Sequence, residues 1–222
     1  MRKIVNLLRF GSTYLRFVRD TGRLDLVFAL ADSLTDNPSP GLQKMLALPD
    51  VRAYLASDIK ALRIELPVLR RMPEGSLGRV FAAFLDQRGL DPTGLYHSGD
   101  EATSDAARFR LHMERTHDLW HTVLGYDTDV ASELGLQAFS IAQIGSGLGY
   151  VILSGGLLNS LLFAPEDGPL RMEAIARGWN LGKTTRPLFG ADWEKMLTWP
   201  IEQVRARFGI RDADLQTAAM AA

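Results

Sequence analysis

Two histidines four residues apart are the side chains of this sequence best suited to metal chemistry. His117 and His121 fall in the stretch HDLWHTVLGYDTDVASELGLQAF, which has helical periodicity. On a helix their imidazoles are about 40° apart, and Asp118 lies about 100° from His117. Imidazole nitrogens and carboxylates bind zinc and other divalent ions, and helical histidine pairs at this spacing are a known zinc-binding device. His117, Asp118 and His121 are therefore candidate metal ligands.

A fourth candidate ligand is predicted on the next helix. Gly125 favours the end of the histidine helix, and Thr128 or Asp129 can cap the helix that follows. Glu133 then lies one turn into that second helix, and a short turn makes neighbouring helices antiparallel. The sequence therefore predicts one divalent-metal site between two adjacent helices, with Glu133 as its fourth ligand. Zinc suits this ligand set, and so do manganese, cobalt and iron.

Several other chemistries are disfavoured. The zinc-protease motif HExxH needs a glutamate where this chain has Asp118. No Gly-Lys-Ser/Thr follows the glycines of GSGLGYVILSGG, which argues against a nucleotide site. The absence of cysteine excludes disulfides and thiolate ligands, and a formal net charge of −1 gives no basic field for nucleic acid. His112 is predicted to be a satisfied or solvated histidine rather than a ligand. For His117 and His121, the alternative to a metal site is a chance pair of surface histidines.

The whole chain, 1–222, is predicted to be one all-α domain, a multi-helix bundle. Helical periodicity dominates, alternating strand patterns are nearly absent, and the prolines lie mainly between helices or at their starts. A loop is predicted from Leu90 to Glu101. The predicted helices are 3–19, 23–34, 41–47, 50–56, 60–64, 76–89, 103–124, 129–144, 148–163, 168–182, 191–196 and 200–208.

Two apolar segments each allow two interpretations. The basic N-terminal stretch does not have the pattern of a secretory signal, and it is either a first core helix or a basic amphipathic helix on a membrane surface. The stretch from Ile141 to Phe163 is either plain core or the wall of an apolar channel. No run reaches the roughly 20 apolar residues that span a bilayer.

The metal-site pattern resembles the signature of the coenzyme Q biosynthesis protein 4 family, in which H-D-x-x-H is followed after eleven residues by E. The resemblance covers about 70–210. It departs from the family at Glu114-Arg115, where the family has arginine before glutamate, and after Gln143, where this chain is richer in glycine. Further similarity is carried by Pro73 to Gly78 (PEGSLG), Glu133 to Gln143 (ELGLQAFSIAQ), Trp179, Lys183, Trp193-Glu194 and Arg205.

The resemblance implies an all-helical, metal-binding protein that acts late in ubiquinone synthesis. The implied reaction is an oxidative decarboxylation that replaces the carboxylate of a polyprenylated aromatic ring with a hydroxyl. His117, Asp118, His121 and Glu133 would then be both metal ligands and catalytic residues, and one carboxylate could instead act as a base. The polyprenyl tail would lie along the apolar channel. The departures leave open a bacterial paralogue that acts on a different prenylated lipid.

The resemblance also implies partners and a location. The expected partners are a prenylated quinone precursor, a membrane surface and other quinone biosynthesis proteins, with no nucleic acid, and a homodimer is compatible with the sequence. The expected location is cytoplasmic and peripheral to the inner (plasma) membrane. Two alternatives stay open: a non-catalytic prenyl-lipid-binding scaffold that organises the biosynthetic enzymes, and a metal-dependent hydrolase with an open coordination position.

Overall fold

In the part of the chain that it describes, the structure, a computed structural model, consists of helices joined by turns and irregular segments. That part comprises residues 2–35, 40–92, 102 and 104–215, without the side chains of 2–5, 35, 40 and 41. These ranges contain no strand, although an isolated bridge pairs Ser76 with Pro200. The all-α prediction is therefore confirmed. The chain divides into two compact units, and the single-domain expectation stays a prediction.

Thirteen α-helices lie within the described ranges, and a 3₁₀ turn at Pro165–Asp167 precedes the tenth. The helices are α1 (Arg2–Arg19), α2 (Leu24–Thr35), α3 (Pro40–Leu46), α4 (Pro49–Leu55), α5 (Leu66–Leu69), α6 (Leu77–Arg88), α7 (Asp105–Leu124), α8 (Val130–Ile144), α9 (Gly147–Leu162), α10 (Gly168–Thr184), α11 (Trp193–Met196), α12 (Ile201–Phe208) and α13 (Asp212–Leu215).

Of the described residues, the first unit comprises 2–35, 40–45 and 128–183. Its helices α1, α2, α8 and α9 bury a shared apolar core. Removing these side chains from water supplies the main drive for the unit to fold. The core consists of Phe17, Leu26, Leu30, Leu134 and Ile152.

Glycines on α9 allow close contact with α8. A Cβ added at Gly149 would lie 2.9 Å from Ile141, and one added at Gly156 would lie 2.5 Å from Leu134. Because the earlier glycine meets the later residue of α8, the two helices run antiparallel. The glycine face of this apolar helix is therefore a helix-packing surface, which agrees with the core interpretation for that face.

A buried arginine links α1, α9 and α10 in the first unit. The guanidinium of Arg171 donates to Asn159 Oδ1 at 2.7 Å and to Ser160 Oγ at 3.1 Å, and also to the Asp167 carboxylate at 2.7 Å. Asn159 in turn donates to the carbonyl oxygen of Val18 at 2.8 Å. These hydrogen bonds satisfy polar groups that burial would otherwise leave unpaired, which would be costly.

The second unit, within the part of the chain that the structure describes, comprises 46–92, 102, 104–127 and 184–215. Its longest helix, α7, packs against α4, α6 and α12. The turn PEGSLG leads into α6, which the side chain of Ser76 caps. The backbone N–H of Gly78 donates to the carbonyl oxygen of Leu197 at 2.8 Å, so this turn is tied to the segment that follows α11.

Most predicted helices are confirmed to within two residues, but the helix predicted over 60–64 is wrong. Residues 58–65 are not helical. The guanidinium of Arg108 donates to the carbonyl oxygens of Leu55, Ser57 and Ile59 at 2.6 to 2.9 Å. These hydrogen bonds satisfy carbonyl oxygens at the start of the segment, so that no helix is needed to pair them. Of the loop predicted from Leu90 to Glu101, residues 93–101 lie outside the described residues.

Candidate functional site

The helix that carries the two histidines, α7, has well-defined ends. The side chain of Ser104 caps its start by accepting a hydrogen bond from the N–H of Ala107 at 3.2 Å. Gly125 ends it in the left-handed region, with φ of 66°, and its N–H donates to the carbonyl oxygen of His121. The predicted stop at Gly125 is therefore confirmed. Glycine suits this position because the left-handed backbone conformation costs it little free energy.

Arg205 of α12 holds the last turn of α7. Its Nε donates to the carbonyl oxygen of Val123 at 3.0 Å, and its Nη2 donates to that of Thr122 at 3.1 Å. Carbonyls in the last turn of a helix have no helical partner, so this half-buried guanidinium supplies one. Burial lowers the pKa of Arg205 below its usual value. Sequence reasoning noted Arg205 only as part of the family pattern, since its contact spans more than 80 residues.

The structure brings three of the four predicted ligands together on α7. The ring centroids of His117 and His121 lie 4.9 Å apart, with their planes at 53°. His121 is fully buried, and its ring faces that of Phe84 at 6.1 Å. The side chains of His117 and Asp118 are 26% and 16% exposed, so a ligand could reach them from outside.

Asp118 lies beside the first histidine. Its Oδ1 is 3.3 Å from Nδ1 of His117. When a carboxylate accepts the Nδ1 proton, the ring is held in one orientation and its Nε2 is left available as a ligand. Asp118 can therefore act either as a ligand, as predicted, or as the group that orients His117.

Glu133 lies in the first turn of α8, in the first unit, and is half-buried. Asp129 caps this helix: its Oδ1 accepts from the N–H of Ser132 at 3.1 Å, and its Oδ2 accepts from the Ser132 hydroxyl at 2.6 Å. The predicted cap at Asp129 is confirmed. The positive end of the helix dipole favours the ionised carboxylate of Glu133.

His112 has a different environment on the same helix. It is 1% exposed, and its Nε2 accepts a hydrogen bond from the N–H of Gly190 at 3.0 Å. Its ring packs against those of Tyr54 and Phe189, with centroids 4.4 and 4.6 Å away. Burial lowers the pKa of His112 to about 3, and the positive charge of Arg108 acts in the same direction. The prediction that His112 is a satisfied histidine is confirmed.

Comparison with known proteins gives one consistent family. The family described as coenzyme Q (ubiquinone) biosynthesis protein Coq4 matches residues 6–214. The chain is 29% identical to a mitochondrial ubiquinone biosynthesis protein COQ4 of Coprinopsis cinerea, covering 93% of this chain and 71% of that protein. It is 30% identical to the Yarrowia lipolytica protein of the same name, covering 92% and 78%.

A solved structure shares the fold. A Nostoc punctiforme protein, assigned provisionally to ubiquinone biosynthesis, is 26% identical with a TM-score of 0.77, covering 91% of this chain and 97% of its own. The curated relatives are generally longer. The chain spans 60% of the length of an Aspergillus flavus relative and 50% of that of a Talaromyces stipitatus relative.

Proposed function

The chain belongs to the coenzyme Q (ubiquinone) biosynthesis protein Coq4 family, and on that premise we propose that it acts in ubiquinone biosynthesis. The proposed substrate is a polyprenylated aromatic ring that carries a carboxylate. In the proposed oxidative decarboxylation the bond from the ring carbon to the carboxylate breaks, carbon dioxide leaves, and a hydroxyl oxygen bonds to the same carbon. With water as the oxygen source, the reaction also releases one proton and two electrons to an acceptor.

The observation that carries this proposal is the arrangement of the family motif on α7. Two imidazoles share one helix face with their centroids 4.9 Å apart, and one of them is fully buried. Within the described part of the chain, His117, His121 and Glu133 are candidate ligands for a metal ion, each offering one ligand atom. Two nitrogens with carboxylate oxygen suit zinc, manganese, cobalt or ferrous iron.

The donor set also fits the proposed chemistry. A divalent ion, when bound, supplies Lewis acidity that stabilises negative charge on the ring carboxylate and a neighbouring oxygen. His117 and His121 would hold it through imidazole nitrogens, and Glu133 through carboxylate oxygen. Asp118 lies close enough to His117 to orient its ring. If Asp118 is not a ligand, its carboxylate can accept a proton from the substrate.

A membrane surface is the proposed partner of α1. Phe17 and Val18 are buried on one face of this helix, whereas Leu8 and Leu15 are 68% and 65% exposed on another. The exposed side chains of Arg9, Arg16 and Arg19 lie to one side of these leucines. A helix that presents leucine beside arginine can insert its apolar side chains between anionic headgroups. No helix within the described residues is long and apolar enough to span a bilayer.

The test combines metal analysis with complementation. His117→Ala plus Glu133→Ala should remove the stoichiometric metal from purified protein and abolish rescue of a strain that lacks the decarboxylation step. Glu202→Ala, which changes an exposed glutamate on α12, is the matched control and should keep both. Normal rescue by the double variant would refute the catalytic role.

A non-catalytic lipid-binding scaffold predicts a different result. Purified wild-type protein would bind a prenyl lipid, as seen by native mass spectrometry, yet would not turn over the carboxylated precursor with any two-electron acceptor. Turnover that disappears in the double variant while lipid binding persists would reject the scaffold and support the enzyme.

A further inference from the structure

The ring of Phe84 packs against the buried imidazole of His121 in the second unit. Phe84 belongs to α6 and is 8% exposed, and His121 belongs to α7 and is fully buried. Their ring centroids are 6.1 Å apart and their planes meet at 23°, which is an offset-stacked arrangement of two flat rings. An imidazole binds a metal through a lone pair in its ring plane, so a contact on the ring face limits the directions in which that lone pair can point.

Arg88, one turn further along α6, holds the Phe84 ring. Its guanidinium lies over that ring, with Cζ 4.0 Å from the centroid, and its Nη1 donates to the carbonyl oxygen of Phe84 at 3.2 Å. Its Nε donates to Oδ1 of Asp127 at 2.7 Å, and the arginine side chain is 23% exposed. A cation this close to the face of an aromatic ring attracts it, and the two hydrogen bonds fix where the guanidinium lies. Arg88 therefore restrains the Phe84 ring.

Helix α6 itself is anchored at both ends and packs against α7. Its start is capped by the side chain of Ser76, and it ends at Gly89, which has a φ of 61°. Asp127, the carboxylate partner of Arg88, lies in the segment that follows α7, so this ion pair ties the end of α6 to the end of α7. The ring contact with His121 is thus in place before any ligand binds. Such preorganisation lowers the ordering cost of binding.

We propose that Phe84 is a positioning residue for the metal ligand His121, and that Arg88 acts through Phe84. This role rests on the proposed metal site, of which it names a further part. If Phe84 served only to fill the core, any apolar side chain of similar volume would serve equally well. A positioning role needs the flat ring, because a flexible aliphatic side chain would leave the imidazole free to turn. Phe84 would then restrain His121 by ring contact, as the Asp118 carboxylate can restrain His117 by a hydrogen bond.

Binding of Co²⁺ to the full chain tests this role without any activity measurement. Competition with a chromophoric chelator gives the dissociation constant, and the visible d–d absorption of bound Co²⁺ reports the ligand geometry. Phe84→Leu should weaken binding about tenfold and change the d–d bands, because an orienting group is lost. Phe84→Tyr, which keeps the ring, should have the wild-type affinity and spectrum. An unchanged dissociation constant and spectrum in Phe84→Leu, or the same defect in Phe84→Tyr, would overturn the proposal.

A control on the same helix separates positioning from stability. Phe81 is fully buried one turn before Phe84, and its ring contacts no histidine ring among the described residues. Phe81→Leu should lower the unfolding free energy of the metal-free protein at least as much as Phe84→Leu does, yet leave Co²⁺ binding unchanged. Equal weakening of Co²⁺ binding by both variants would mean that core packing alone is responsible, and Phe84 would then have no positioning role.

The sign of the Arg88 effect supplies a second test. Removing a positive charge from the surroundings of a cation site should by itself strengthen Co²⁺ binding. Positioning predicts the opposite: Arg88→Gln should weaken binding about two- to fivefold, the size of a cation–π contact, and should weaken it no further in the Phe84→Leu background. Arg79→Gln removes an exposed charge from the same helix and is the control, which should not weaken binding. Unchanged or stronger binding by Arg88→Gln would refute the role of Arg88.

The same titrations distinguish a failure of the metal site from a failure of positioning. A wild-type protein that bound no Co²⁺ would overturn the metal site and the positioning role with it. Wild-type binding that His117→Ala abolishes but Phe84→Leu leaves intact would overturn the positioning role alone.

Discussion

His112 and His121 are both buried on α7, yet their surroundings differ. His112 is enclosed by two aromatic rings, and its Nε2 accepts a backbone hydrogen bond, which requires an unprotonated Nε2. His121 lies one turn from His117, which is a residue type that binds metals, and its ring also faces Phe84. The sequence spacing distinguishes them, since only the pair four apart shares one face.

The burial of His112 should make folding depend on pH. Its pKa is about 3 in the folded protein and 6.5 for the free side chain. Between these values the unfolded chain binds a proton that the folded chain does not. The unfolding free energy should therefore fall as the pH falls from about 6.5 toward 3, by up to about 1.4 kcal/mol per pH unit from this residue.

His112→Phe isolates that contribution. It keeps an aromatic ring but leaves the Gly190 N–H without its acceptor, which should cost about 1–3 kcal/mol at pH 7. The loss of stability on acidification should then be shallower than in the wild type. Urea unfolding at several pH values between 7 and 4.5 measures both slopes. Parallel slopes would contradict the assigned pKa.

At the scale of elements, the glycines of the apolar helix α9 allow a neighbouring helix to pack closely against it. Gly155 faces the ring of Phe17 on α1, and a Cβ there would lie 2.6 Å from that ring. Tyr14 of α1 also shares a hydrogen bond of 3.0 Å with the Ser154 hydroxyl. The glycine therefore permits close packing of α1 on α9.

Gly155→Ala should destabilise the protein by about 1–3 kcal/mol, because the 1% exposed ring of Phe17 has no space to move. Gly147→Ala on the same helix is the matched control. A Cβ there meets nothing within 4 Å, so this variant should be neutral or slightly stabilising. Urea unfolding compares them. Combining Gly155→Ala with Phe17→Leu should restore part of the loss, and strict additivity would argue against the contact.

Most helices could be predicted from sequence because local signals mark their ends. Gly125 and Asp129 are examples, since a left-handed glycine and a side-chain cap act within a few residues. The helix predicted over 60–64 was wrong because Arg108, more than 40 residues away, satisfies nearby carbonyls. Contacts at that separation leave no local pattern.

The same reasoning applies to the candidate sites. The proximity of His117, Asp118 and His121 was predictable because these residues lie within five positions of one helix. The role of Arg205 and the contact of Phe84 with His121 were not predicted, because residues far apart in the chain meet there. Only folding assembles them.

At the scale of the whole molecule, the formal net charge of −1 gives no general attraction to an anionic surface. Any such attraction must come from a local concentration of positive charge. On α1, Arg9 and Arg16 are exposed near the exposed side chains of Leu8 and Leu15. Charge and apolar surface therefore coincide on one helix, as expected of a helix that lies in the plane of a membrane interface.

Binding to vesicles should depend on both features of α1. Full-length protein should sediment with vesicles of mixed neutral and anionic phospholipid, less so at high salt, and weakly with neutral vesicles. Arg9→Gln plus Arg16→Gln should lower the partition coefficient about 25-fold, at about 1 kcal/mol per arginine. Leu8→Ser plus Leu15→Ser should lower the partition coefficient at high salt as well, because the apolar contribution to binding remains there.

The matched control replaces two exposed arginines of the second unit, Arg63→Gln plus Arg71→Gln. This variant has the same net charge as the α1 double arginine variant, so overall electrostatics are held equal. Unchanged binding by the control and lost binding by the α1 variant would assign the effect to α1. Equal losses in both would mean that net charge alone governs the association, and α1 would then be no more than an N-terminal core helix with a solvated face.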